Sequence, residues 1–164
     1  MAASRVSTAV GAGFAGLILG IVLTLVSQGG EPAPQSGDVR RVIRPEKAPN
    51  TGLPFSPGIQ VGNTLYLAGH LGRDPVTSEL VAGGIEPETR QVLANLGDVL
   101  RTAGMDFGDV TTVTVYITDF ASFPKFNEIY REFFPTDPPA RATVQVAALN
   151  GGAVVEIQMI AVKR

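Results

Sequence analysis

A chain of 164 residues, 45% of them hydrophobic, suffices for one domain with a full core plus an appendage. The net charge is −2, and residues 54–164 hold eight Lys and Arg against twelve Asp and Glu, the opposite of the basic footprint a nucleic-acid binder carries. With no cysteine and one histidine, disulfides, a thiolate nucleophile, Cys-type zinc and multi-His metal sites are excluded.

In chain order, residues 9–26 (AVGAGFAGLILGIVLTLV) are apolar or small throughout. As a helix they would reach roughly 27 Å, close to the thickness of a hydrocarbon core. Arg5 precedes the run and Glu31 is the first charge after it. This predicts a single-pass N-terminal membrane anchor with the remainder on the extracytoplasmic side. A cleaved signal peptide is the competing reading, with Ser27 and Gly29 as small residues at a cleavage site. Residues 29–58 include eleven Gly or Pro and read as an extended linker. The expected organisation is an anchor at 1–30, a linker at 31–53 and a domain at 54–164.

Within that domain, Gln60-Val61 and residues 64–71 predict a hairpin around Gly62-Asn63. Residues 74–79 (DPVTSE) are a turn. A helix is expected over 87–103, with Pro87 at its start, Gly104 just past its end, and Val92, Leu93, Leu96, Val99 and Leu100 as its buried stripe. Residues 110–118 (VTTVTVYIT) read as a strand. A second helix over 123–134 carries Phe123, Phe126, Tyr130, Phe133 and Phe134 on one face, a pattern of core packing, and Pro135 ends it. Residues 142–149 and 154–162 are the last strands. The order ββ, α, β, α, ββ predicts an α+β domain with two helices on one face of a sheet.

Two charges stand out. Arg141 opens an alternating run (PPARATVQVA), and Glu156 interrupts an otherwise apolar strand (AVVEIQMIAV). An arginine fork holds a carboxylate through two parallel hydrogen bonds, and a carboxylate can deprotonate a water. Alternation groups Arg141, Thr143 and Gln145 on one strand face, and Glu156 with Gln158, so the polar faces could lie on one side of the sheet. In a simple hairpin through Asn150-Gly151-Gly152, Arg141 and Glu156 would still stand about 13 Å apart along the strand. A joint site then needs a long substrate, another register or a subunit boundary; ordinary solvent-face charges are the alternative. Gly69 marks either a bulge or a close approach. His70 reads as a base or as a polar edge residue, and Asn127 as a pocket amide or a surface side chain.

The segments GNTLYLAGHLGRDP, ETRQVLANLGDVLRTAGMDFGDV, TVYITDF, FNEIYREFFP, PPARATVQVA and VVEIQMIAV together resemble the RidA/YjgF family of reactive-intermediate imine deaminases, from about Leu53 to Arg164. The resemblance implies a chorismate-mutase-like fold, a mixed sheet backed by two helices, assembled as a homotrimer with sites in clefts between subunits. It implies hydrolysis of reactive 2-imino or 2-enamino acids, such as 2-iminobutanoate and 2-iminopropanoate, to 2-keto acids and ammonia. No cofactor or metal is implied. Arg141 would bind the substrate carboxylate and Glu156 would activate the water. Phe55, Gly69, Asn127 and Thr143 would line the pocket. Phe55 stands where many members have Tyr, Thr143 where many have Cys, and Ala68 and His70 replace a common Ser and Gln. These departures bear on substrate preference, and leave open a non-catalytic keto-acid-binding protein of the same fold. Ribonuclease activity is a third reading, disfavoured by the acidic domain.

Overall fold

The computed structural model describes residues 39–46 and 52–164, all within the unit Pro34–Arg164. The elements in chain order are β1 (Arg41–Ile43), β2 (Gly58–Val61), β3 (Thr64–Leu67), β4 (His70–Leu71), α1 (Ile85–Thr102), β5 (Val110–Ile117), α2 (Phe123–Phe133), β6 (Ala140–Gln145) and β7 (Val155–Val162). The strands form one sheet in the order β1-β2-β3-β7-β5-β6, with β4 also paired to β7. Only the β5–β6 pair is parallel; the rest are antiparallel. This is the expected mixed sheet backed by two helices.

The helices begin and end where backbone chemistry dictates. α1 starts at Ile85, two residues earlier than expected, with Pro87 in its first turn, where an amide hydrogen has no helical acceptor to lose. It stops before Gly104, whose φ of 72° fits the left-handed residue that closes a helix. The apolar stripe Val92, Leu93, Leu96, Val99 and Leu100 is buried as read from its spacing. α2 buries Phe126, Ile129 and Tyr130, and Phe126 and Tyr130 join the core on the same sheet face. From the strands, Leu65, Leu67, Val113, Val115, Ile117, Val155, Ile157 and Met159 complete that core.

The opposite sheet face carries no layer from the described residues. Tyr66 is 49% exposed there and Val144 43%; Thr112, Gln158, Ile160 and Val162 share this face through the pairings Tyr66–Ile160, Thr64–Val162 and Thr114–Gln158.

Three local expectations change. The predicted strand over 64–71 is broken: between the pairs Tyr66–Ile160 and His70–Ile157 one side advances four residues and the other three. That extra residue is a β-bulge at Gly69's segment. β1 forms inside the stretch read as linker, because Val42 and Ile43 pair with Ile59 and Gly58. Finally, β6 and β7 are not a hairpin, since β5 lies between them.

Candidate functional site

The bulge brings Gly69 against β7. A methyl group on Gly69 would overlap the Glu156 carboxylate, so only glycine lets that side chain lie flat on the neighbouring backbone. Both readings of Gly69, bulge and close approach, hold together. Glu156 is half-buried, and among the described residues no cation pairs with it. Its burial raises the carboxyl pKa above the ordinary glutamate range. A desolvated carboxylate with a free lone pair is the form in which glutamate serves best as a base near neutral pH.

This carboxylate opens on a cleft of about 490 Å³ whose lining includes Phe55, Gly69, His70, Arg73 and Asn95. Phe55, 53% exposed at its wall, offers an apolar ring and no hydroxyl. His70 is half-buried. Its Nδ1 lies 2.9 Å from the Ala68 carbonyl oxygen, to which it donates, and desolvation pulls its pKa down more strongly than that bond raises it. Desolvation favours the neutral imidazole, and the bond to Ala68 puts its proton on Nδ1, which leaves Nε2 as an acceptor.

Glu88 contributes to this geometry from α1, unforeseen in the sequence. Its buried carboxylate accepts a hydrogen bond from the Val154 amide at 2.9 Å and anchors β7 two residues before Glu156. The signal for it was a charged residue among the inward positions of α1, and burial raises its pKa despite the backbone donors.

Arg141 sits elsewhere. In register it pairs with Val113, a core position, whereas Glu156 pairs with Tyr116 on the open face. The expectation that their polar faces share a side of the sheet is thus corrected: alternation fixed each strand's two faces, but the intervening β5 places them oppositely. Arg141 Nη2 donates to Asn127 Oδ1 at 2.7 Å. Its guanidinium carbon stands 4.5 Å from the Tyr130 ring centre, 5.4 Å from Phe126 and 5.6 Å from Phe123. The aromatic stripe of α2 is both core and cation-holding surface. Beyond the guanidinium lies a second cleft of about 340 Å³, lined by Asn127, Tyr130, Pro138, Pro139 and Arg141. The Tyr130 hydroxyl is buried there outside good hydrogen-bonding geometry; burial pushes its pKa up to about 12, with the charge and the nearby N–H of Arg141 pulling the other way.

Within one chain, then, Phe55, Gly69 and Glu156 border one cleft, and Asn127 and Arg141 the other. Thr143 borders neither; it lies in register with Val115 on the helix-covered face, two residues beyond Arg141.

Residues 45–163 match the family described as Endoribonuclease L-PSP. The human protein named 2-iminobutanoate/2-iminopropanoate deaminase is 42% identical over 125 residues, 76% of this chain and 91% of that one. The chain belongs to the RidA/YjgF family. Among solved structures, RidA from the Antarctic bacterium Psychrobacter sp. superposes with a TM-score of 0.71 at 39% identity, covering 74% of this chain and 98% of that one. The YjgF gene product of E. coli gives 0.72 at 33%, covering 76% and 99%.

The expected membrane location is corrected. No helix among the described residues is long and apolar enough to cross a membrane, and the family relative from Arabidopsis thaliana is named a chloroplastic Reactive Intermediate Deaminase A. The apolar run over 9–26 that carried the expectation lies outside the described residues; its length and apolarity are conditions for a span and do not by themselves place one.

Proposed function

We propose that the protein is a 2-iminobutanoate/2-iminopropanoate deaminase, a hydrolase acting on C=N bonds. The observation that carries this reading is the unpaired, desolvated Glu156 carboxylate seated on Gly69 at a cleft, in a chain whose relatives bear that name. Glu156 takes a proton from water as the oxygen bonds to the imine carbon. The proton passes to the nitrogen, the carbinolamine collapses, and 2-keto acid and ammonia leave. Such imines already hydrolyse in water, so one positioned base and one oriented carboxylate supply the acceleration.

The carboxylate clamp is Arg141, with Thr143 further along its strand. Because Arg141 and Glu156 occupy opposite faces of one sheet, a second copy supplies the arginine to each Glu156 cleft. The uncovered sheet face, with Tyr66 and Val144 exposed, supports assembly through that surface, and a homotrimer closes it with one kind of contact repeated.

The test follows loss of freshly generated 2-iminopropanoate in competition with semicarbazide trapping, together with the mass of the assembly. Faster loss with the wild type supports deamination. No acceleration by a folded trimer moves the reading to a keto-acid-binding protein, for which Phe55 in place of a hydroxyl-bearing residue speaks. Ribonuclease activity, named in the family description, would require salt-sensitive RNA binding by a domain of net charge −4 over residues 54–164.

A further inference from the structure

We infer that Arg73 binds a second anionic group of the substrate, so that the site takes 2-imino dicarboxylic acids as well as short monocarboxylic ones; this rests on the deaminase reading. Arg73 lines the same cleft as Glu156 and Gly69. Leu71 stands directly opposite Glu156 in register, and Arg73 follows two residues on.

The guanidinium is held in place. Its Nη1 donates to the Ser78 carbonyl at 2.9 Å. Ser78 has a φ of 65°, an uncommon conformation for a residue other than glycine. On its other side, a methyl on Gly151 would collide with Nη2, so the group lies against the 150–152 turn. Asn95 from α1 donates to the carbonyls of both Arg73 and Leu71, at 2.8 and 3.2 Å, and fixes the backbone beneath.

The two aspartates that also line the cleft have other partners. Asp74 accepts from the amides of Val76 and Thr77 at 2.8 and 2.9 Å, and Asp98 pairs with Arg101. No ion pair among the described residues includes Arg73. Of five guanidinium N–H groups, one is spent on a backbone carbonyl. No ion pair joins Arg73 to Glu156, and both line the same cleft. A volume of about 490 Å³ falls in the range that holds ligands larger than a four-carbon acid, roughly 300–1,000 Å³. An oriented, half-buried cation with unspent donors on that wall suits a carboxylate at the far end of the substrate.

The test compares hydrolysis of 2-iminoglutarate and 2-iminobutanoate by the full chain and by Arg73→Met and Arg73→Lys, with semicarbazide competition. Calorimetric titration of 2-oxoglutarate and 2-oxobutanoate runs beside it. Arg73→Met is expected to lower the ratio of kcat/KM for the dicarboxylic over the monocarboxylic imine by about tenfold or more, with Arg73→Lys restoring part of it. An equal loss on both substrates, with a lowered Tm, would overturn the assignment in favour of a purely structural arginine. If no imine is turned over but 2-oxoglutarate binds and Arg73→Met loses it, the anion site stands and the deaminase reading falls. If imines are hydrolysed with an unchanged ratio, deamination stands and the Arg73 site falls. Absence of both turnover and binding overturns both.

Discussion

The two clefts of this domain treat their charges in opposite ways. Glu156 lies against a glycine with no counter-ion among the described residues, while Arg141 is stacked on three rings and tied to Asn127. A carboxylate left desolvated and unpaired keeps a high proton affinity and stays reactive. A guanidinium caged by aromatics keeps its charge and loses its freedom, so ordering it costs little when a ligand arrives. On the proposed function, the first cleft serves proton transfer and the second orientation.

Substitutions should separate these roles. Glu156→Gln is expected to give the largest effect, a fall in kcat of roughly 10²–10⁴-fold with KM little changed. The wild-type rate should rise with pH through a carboxyl pKa above the ordinary glutamate value. Stability runs the other way. The folded carboxyl titrates above the unfolded one, so its contribution is fully present below the unfolded pKa and is lost as pH rises through the folded value. Melting curves across pH for wild type and Glu156→Gln check this; a rate profile that keeps its acid limb in the variant would remove Glu156 as the base.

Arg141→Ala should act mainly on KM, costing about 2–4 kcal/mol of carboxylate binding. Steady-state kinetics that instead place the loss wholly in kcat would assign Arg141 to the chemical step. Gly69→Ala should push the Glu156 carboxylate off the backbone, with a loss of about 10²-fold, the usual result of misplacing a reacting group by an ångström; Gly108→Ala, whose new methyl would meet Arg164 and Asp106, neither of them lining a cleft, is the control for general strain. The smallest effect is expected from Tyr130→Phe. The ring that faces Arg141 remains, and the lost hydroxyl is buried with no well-formed hydrogen bond, Arg141 being its polar neighbour. KM should move less than about twofold and stability should rise by up to about 1 kcal/mol, read from Tm. A large rise in KM would mean that the hydroxyl, and not the ring alone, meets the substrate.

The helices, the β5 strand and the Gly62 turn were legible because local periodicity and backbone chemistry specify them. Arg141 and Glu156 stood out in the sequence because charges are rare in such strands. Their opposite orientation was not legible: it follows from β5 entering between β6 and β7, a long-range pairing that alternation within a strand does not encode. The bulge at Gly69 was foreshadowed as one of two readings and proved to be the cause of the other. β1 was hidden because three residues between glycines and prolines carry too little pattern, and its partner, not its composition, makes it a strand. Arg73 and Glu88 were passed over, as one immediately precedes the 74–79 turn and the other lies in a helix whose charged residues are mostly solvated.

The division of Arg141 and Glu156 between two faces has a genetic consequence. Arg141→Ala and Glu156→Gln chains, each impaired alone at substrate concentrations well below KM, should complement one another when mixed before assembly. In the proposed ring of three, any mixed trimer would join one intact arginine to one intact glutamate at a single interface. Random mixing in equal amounts would then restore about a quarter of the wild-type activity.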